Sequence, residues 1–344
     1  MRVDRREFLG MVAAAIVIPW RVRDEHPVVE STLGNLRGVE ENGLRVFRGI
    51  PFAKPPVGGL RFRPPEPPVK WAGIRDATRN APPAVQPGAA GSEDCLYLNV
   101  WAPSGKGPYP VLFWIHGGGN EGGGTAGESG AGFAREEIVV VTVAYRLGAF
   151  GFLELGGILA EYKESGDNGI RDLEAALRWV RENIVGFGGE PSQVTIAGQS
   201  AGAKDVAALM AAKSARGLFA RAIMESGSGQ TVHDARSAHE VASLMLREMG
   251  TDESRILTAP ASEVLAAQRR LDADYPHDFP FRPFVGGAYL PKRPVDLVDG
   301  SVPLLIGTNR DESIAFMDPK DASKPIRPRE VTNLPFDRIP EMEK

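Results

Sequence analysis

Residues Val194 to Gly202 read V-T-I-A-G-Q-S-A-G, a short apolar stretch running straight into a serine with glycine two residues away on either side. No other segment restricts the fold as much. A serine on a sharp strand-to-helix turn holds its hydroxyl above the end of a sheet, and such a turn crowds the residues two before and two after it. Gly198 and Gly202 fit there where a side chain would clash. The continuation, A-G-A-K-D-V-A-A-L-M-A-A-K, is rich in good helix formers. Strand, turn and helix thus come in the order that a nucleophilic serine requires.

The flanking sequence predicts the sheet that such a serine needs. Pro110 to Ile115 and Ile138 to Val143 are near-continuous apolar runs, which suit central strands covered on both faces. Cys95 to Trp101, Ala220 to Met224 and Pro303 to Ile306 are further strand candidates. Between Ile170 and Phe187, Leu173, Ala176, Leu177, Val180 and Ile184 recur at helical spacing until Gly188-Gly189-Glu190-Pro191 ends the pattern. Helical patterns also fall near 234–249 and 261–272. Turn residues alternating with apolar ones from Gly34 to Gly49 predict small antiparallel strands, and Pro51 to Pro68 predicts extended surface chain. Strands alternating with helices around parallel-type runs predict an α/β protein with a central, mostly parallel sheet.

A serine hydroxyl needs a base to take its proton, a third group to orient the base, and donors for the developing oxyanion. His116-Gly117-Gly118-Gly119 directly follows the candidate strand 110–115, and its glycines let backbone N–H groups approach a substrate carbonyl. With the N–H of Ala201 this loop makes a three-donor oxyanion hole, each donor worth about 2.7–4 kcal/mol. Glu312, in L-I-G-T-N-R-D-E-S, lies in the turn after a strand candidate, where a triad acid belongs. By composition alone, a solvated Asp-Glu pair is the better reading of that turn.

At 344 residues and 42% hydrophobic content the chain can bury a large core. A net charge of −4 with mixed signs predicts no nucleic-acid partner. The five histidines, at 26, 116, 233, 239 and 277, lack ligand spacing beside a cysteine or carboxylate cluster, so no metal and no cofactor is expected. Cys95 is the sole cysteine and reads as a small apolar core residue. At the amino terminus, Asp4-Arg5-Arg6-Glu7-Phe8-Leu9 precedes the apolar run Met11 to Trp20 and the charged Arg21 to Glu25. This resembles a bacterial twin-arginine export signal, with an amphipathic anchor or an ordinary Sec signal as the alternatives. Residues 1–26 are therefore expected to be an export signal for a periplasmic or secreted protein. The apolar run is too short for a stable membrane span in the mature chain.

A series of motifs stands in order along the chain: F-R-G-I-P-F-A-K-P-P-V-G at 47–58, S-E-D-C-L-Y-L-N-V at 92–100, H-G-G-G at 116–119 and Y-R-L-G-A-F-G-F-L at 145–153. They continue with N-G-I-R-D at 168–172, F-G-G-E-P-S-Q-V-T-I-A-G-Q-S-A-G-A at 187–203, L-F-A-R-A-I-M-E-S-G-S at 218–228 and G-T-N-R-D-E at 307–312. Together they resemble the type-B carboxylesterases, a family that also holds the cholinesterases and the catalytically inert neuroligins. The resemblance implies an α/β-hydrolase fold and hydrolysis of a small-molecule carboxylic ester through an acyl-serine intermediate. It assigns Ser200 as nucleophile, Gly118, Gly119 and Ala201 as oxyanion donors, Glu312 as triad acid and Ser226 as triad support. It also implies that Arg61–Glu93 and Arg146–Asp172 are structural ion pairs.

The chain departs from that family in several places. The disulfide partner of Cys95 falls at Ala84, so the family's bridge is absent; Gln199 replaces a glutamate, and Asn120-Glu121 follows the glycines where an aromatic is usual. The family's catalytic histidine lies beyond its acid, yet none of the residues after Glu312 is histidine. The expectation is a hydrolase domain over 27–317 that lacks the family's C-terminal part and last strands, followed by an irregular tail over 318–344. Activity impaired by a missing base follows from that expectation, as does aggregation through an open apolar sheet edge. Two further readings stand beside it: a non-catalytic binding protein on the same fold, and a compact esterase using His233 as base. His277 and His116 suit a solvated loop and a scaffolding role respectively.

Overall fold

The computed structural model describes residues 26–310, apart from 90, 251–253, 276–278 and 299, together with 312, 317–318 and 321–325. The twin-arginine-like segment and His277 lie outside the described residues. The chain opens with two hairpins, β1 (Val28–Ser31) with β2 (Gly34–Arg37), and β3 (Val39–Glu41) with β4 (Leu44–Pro51). Asn42 and Gly43 close the second at φ 51° and 76°, the paired positive angles that a two-residue hairpin turn requires. A short strand β5 (Ile74–Asp76) adds to β2 in parallel.

The main sheet continues with β6 (Tyr97–Pro103), β7 (Tyr109–Ile115), β8 (Val139–Val143), β9 (Gly189–Gln199), β10 (Arg221–Glu225) and β11 (Leu304–Gly307). Its order is β11-β10-β9-β7-β8-β6-β4-β3. Pairing is parallel from β11 across to β8 and antiparallel beyond, from β8 through β6 and β4 to β3. All five residues of β8 are buried, as its unbroken apolar run demands of a strand covered on both faces.

The helices are α1 (Ala131–Arg135), α2 (Gly148–Phe152), α3 (Asn168–Asn183), α4 (Ala201–Ala211), α5 (Ala235–Met249), α6 (Arg255–Thr258), α7 (Ala261–Asp274) and α8 (Pro294–Leu297). α3 buries Leu173, Ala176, Leu177 and Val180 against the sheet and runs into a 3-10 turn, Ile184–Phe187, closed by left-handed Gly188. Asp234 caps α5 by accepting the Ser237 N–H at 2.9 Å. The core is continuous from Phe47, set edge-on to Phe187 at 4.9 Å, through Phe113 to the apolar face of α4.

Two buried arginines fasten loops to this frame. Arg146 holds Asp172 through Nη2–Oδ1 at 2.7 Å and Nε–Oδ2 at 2.8 Å, joining the turn after β8 to α3. Arg61 grips Glu93 with two hydrogen bonds and gives Nη1 to the carbonyls of Ile256 and Ala259. Cys95 is a buried free thiol, its ionisation suppressed by burial. Near it, Ala84 and Ser92 form a backbone bridge that shuts the intervening loop.

Two expectations need correction. β9 begins at Gly189, not Val194, because Tyr109 pairs with Gly189; the polar E-P-S-Q segment then bulges before pairing resumes at Val111 and Val194. Residues 317–318 and 321–325 pair as antiparallel β12 (Met317–Asp318) and β13 (Asp321–Pro325), so the region from 318 onward is not irregular throughout. D-A-S-K-P has poor strand composition; paired backbone groups outweigh it.

Candidate active site

His116, Ser200, Ser226 and the Thr308–Arg310 segment that leads to Glu312 each follow the carboxyl end of a parallel strand: β7, β9, β10 and β11. β8 flanks β7 on one side and β9 on the other, so the chain reverses its winding there and leaves a crevice above the strand ends.

Ser200 stands at φ 55°, ψ −120°, between β9 and α4. A non-glycine residue in such a conformation costs about 1–3 kcal/mol and persists only when its surroundings enforce it. Here the Ser200 N–H donates to Glu225 O at 2.8 Å, and its carbonyl accepts from Ala203 N at 3.0 Å and Lys204 N at 3.2 Å. The steric reading of the glycines holds. A Cβ on Gly198 would meet Gly202 C at 2.4 Å, and one on Gly202 would meet Ile115 O at 2.2 Å. Both contacts are with backbone, which cannot swing aside.

The loop after β7 lies against the serine. A Cβ on Gly117 would come within 3.1 Å of Ser200 Cβ and 2.7 Å of Gln199 O. Gly118 and Gly119 turn through φ 116° and 67°. Among the described residues the N–H groups of Gly118, Gly119 and Ala201 are not donated to any other group, the last because the first turn of a helix has no carbonyl behind it. Gln86 secures the far side of the loop, with Nε2 on Gly123 O at 2.7 Å and Oε1 accepting Gly123 N at 2.9 Å. A cavity of about 530 Å³ opens beside Gly117 and Gln199, walled by Pro83, Gln86 and the Gly123–Glu128 segment. A larger groove of about 620 Å³ is lined by the Pro64–Pro68 strap and α3, and none of the candidate site residues lines it.

Ser226 repeats the left-handed step at φ 54°, its N–H donating to Gly307 O at 2.8 Å. Its Oγ donates to Glu312 Oε2 at 2.9 Å, and the Asn309 N–H reaches the same oxygen at 2.7 Å. Ser226 and Glu312 are thus brought together from β10 and from the turn after β11.

The two buried histidines have other tasks. His116 is buried, its imidazole pushed down to about 4 by desolvation and therefore neutral. Its Nδ1 donates to Gly117 O at 2.9 Å, and its ring stacks on Tyr145 at 4.6 Å. His233 is 3% exposed, with Nε2 donating to Pro280 O at 2.8 Å and its backbone paired to the segment around Phe284.

Sequence reasoning missed a buried group beside the glycine loop. Asp205, on α4, is 0% exposed and contacts Asn120 in the loop. The available signal was a lone carboxylate within the apolar stretch K-D-V-A-A-L-M.

The sequence model of the carboxylesterase family matches residues 25–338. The para-nitrobenzyl esterase of Bacillus subtilis (strain 168) is 40% identical over 325 residues, covering 86% of this chain and 64% of its own length. The fumonisin B1 esterase of Sphingopyxis macrogoltabida is 38% identical over 327 residues, covering 89% of this chain and 60% of its own. Thus the chain spans 60% to 64% of the length of these curated relatives. Among solved structures, a PNB esterase superimposes with a TM-score of 0.80 at 41% identity, over 86% of this chain and 66% of that one. A Geobacillus stearothermophilus carboxylesterase gives 0.78 at 41% identity, over the same shares. The architecture is an α/β-hydrolase fold, as the motifs implied.

Proposed function

Because the chain belongs to the carboxylesterase family, we propose that it is a carboxylic ester hydrolase whose acyl group passes through Ser200. The observation that carries this reading is the strained serine at φ 55° beside a glycine loop with uncommitted N–H groups. Ser200 Oγ attacks the carbonyl carbon of a small ester. The oxyanion that develops is met by the N–H groups of Gly118, Gly119 and Ala201, and the alcohol departs to leave an acyl-serine. Water then attacks the acyl carbon to release the acid. Glu312, steadied by the Ser226 hydroxyl, stands where it would orient and balance the charge of a base that carries the serine proton to the departing alcohol.

The base is the weak member of this set. None of the residues after Glu312 is a histidine, and the described His116 and His233 spend Nδ1 and Nε2 respectively on backbone carbonyls. We therefore expect this polypeptide to turn over slowly, at the level left by an oxyanion hole without a complete triad, about 10³–10⁴-fold over water.

The test is p-nitrophenyl ester hydrolysis by the 344-residue chain and by Ser200→Ala, with and without added imidazole. Slow, Ser200-dependent hydrolysis that imidazole accelerates is the expected result. Hydrolysis at ordinary enzyme rates, abolished by Ser200→Ala, would sink the impairment; indifference to Ser200→Ala would sink the acyl-serine reading. We also propose export through the twin-arginine-like segment, which retention in the cytoplasm by wild type and Arg5→Lys/Arg6→Lys alike would refute.

A further inference from the structure

Asp205 is a fully buried carboxyl to which the acyl-transfer chemistry gives no task. It lies on α4 four residues beyond Ala201, hence on the same helix face about 6 Å further along the axis. Its Oδ1 accepts from Asn120 Nδ2 at 3.3 Å, a contact spanning 85 residues of sequence. Its Oδ2 is buried without a hydrogen-bond partner among the described residues.

Asn120 closes the glycine loop and is 2% exposed. Its backbone is left-handed at φ 61°, and its carbonyl accepts from Gly148 N at 2.6 Å. Its side-chain Oδ1 accepts from the Tyr145 hydroxyl at 3.4 Å, and that hydroxyl also donates to His116 O at 3.0 Å. The loop is therefore held at two posts. His116 is fixed by Tyr145 at one end, and Asn120 by Gly148, Tyr145 and Asp205 at the other. Between the posts lie three glycines, whose N–H directions no side chain can set.

Oxyanion donors are effective only when they converge within about 3 Å of one oxygen. Gly118 and Gly119 belong to the loop, while Ala201 belongs to the helix, so the spacing between loop and helix decides their convergence. We propose that Asp205 and Asn120 form a positioning clamp that holds the oxyanion loop in register with the nucleophile helix. The kinetic consequence of the clamp rests on the acyl-serine reading of Ser200; the clamp itself does not.

The protonation state of Asp205 belongs to the same device. Burial pushes its carboxyl up to about 7, opposed in part by the hydrogen bond from Asn120 and by the charge of Lys204. Tyr145, raised well above its usual value by burial, is neutral, and so is His116 behind it. The 3.3 Å separation suits a neutral carboxyl, since charge-assisted contacts run about 2.7–2.9 Å. Because the folded chain retains this proton between about 4 and about 7, Asp205 makes stability fall as pH rises through that window.

The test uses Asp205→Ala, Asn120→Gly, their double variant and Asp205→Asn, all in the 344-residue chain. Glycine takes φ 61° without strain, so Asn120→Gly removes only the side chain. Two quantities are read: the rate at which a p-nitrophenyl phosphonate labels Ser200, by intact mass, and hydrogen exchange of the 116–123 backbone. Asp205→Ala and Asn120→Gly should each slow labelling by about 10–100-fold and speed exchange, with the double variant no worse than either. Asp205→Asn, whose amide oxygen still accepts from Asn120, should restore most of both and abolish the fall in stability between pH about 4 and about 7. Wild-type labelling and exchange in both single variants would overturn the clamp. If the wild-type chain takes no label at Ser200, the acyl-serine reading fails, and loop exchange alone decides the clamp: faster exchange in the variants sustains it and unchanged exchange overturns it.

Discussion

Ser200 ends a strand that lies against buried β7, where Val111, Phe113 and Ile115 are 1% exposed or less. Glu312 follows β11, where Leu304, Leu305 and Ile306 are 41%, 67% and 56% exposed. The serine end of the proposed site therefore rests on buried strands, and its glutamate end on a strand that this chain leaves exposed. A strained serine needs a scaffold that enforces its backbone, and Glu312 is held by two hydrogen bonds, from Ser226 Oγ and Asn309 N.

Core truncation should break this contrast most visibly. Phe113→Ala is expected to cost about 3–5 kcal/mol in urea unfolding, and Leu305→Ala within about 0.5 kcal/mol. Equal losses would mean that β11 is as firmly held as β7.

A pH titration sharpens the comparison next. His116 is pushed down to about 4, while an unfolded imidazole titrates near 6.5, so the unfolded chain holds more protons between those values. Stability from this group is lost as pH falls through that window and gained as it rises, by about 3 kcal/mol. His116→Gln should remove the gain and expose the opposite slope of Asp205; an unchanged profile of unfolding midpoints would count against a buried neutral imidazole.

Glycine substitutions give a smaller effect with the same polarity. Gly202→Ala forces a Cβ against Ile115 O and should cost about 1–3 kcal/mol, whereas Gly307→Ala on β11 meets nothing within 4 Å and should be nearly neutral. Thermal melts of the two variants decide it. The smallest change is expected for Ser226→Ala, about 0.5–1.5 kcal/mol, because Glu312 keeps its bond from Asn309 N. A larger loss would show that the acid half is load-sharing with the core.

The same division separates what the sequence discloses from what it hides. Gly198, Ser200 and Gly202 act on one another within five consecutive residues, so their steric logic is visible in the string. The Val139–Val143 run reveals its burial just as directly, since an unbroken apolar strand has no polar face. Glu312 was ambiguous because its meaning depends on Ser226, which reaches it from another strand. Asp205 was overlooked for the same reason: a carboxylate in a helix is unremarked until Asn120 is found 85 residues away. The polar start of β9 was hidden too, because Gly189 pairs with Tyr109 ahead of a bulge whose polar residues do not advertise a strand.

The loop from Pro83 to Ser92 is shut by main-chain contacts, the Ala84–Ser92 bridge with Ser92 N on Pro83 O at 2.8 Å. Its closure therefore involves no electron transfer. With Cys95 the sole cysteine, this closure waits on no oxidant, and it is reached alike in reducing and oxidising surroundings. A thiol reductant should leave the thermal transition where it is.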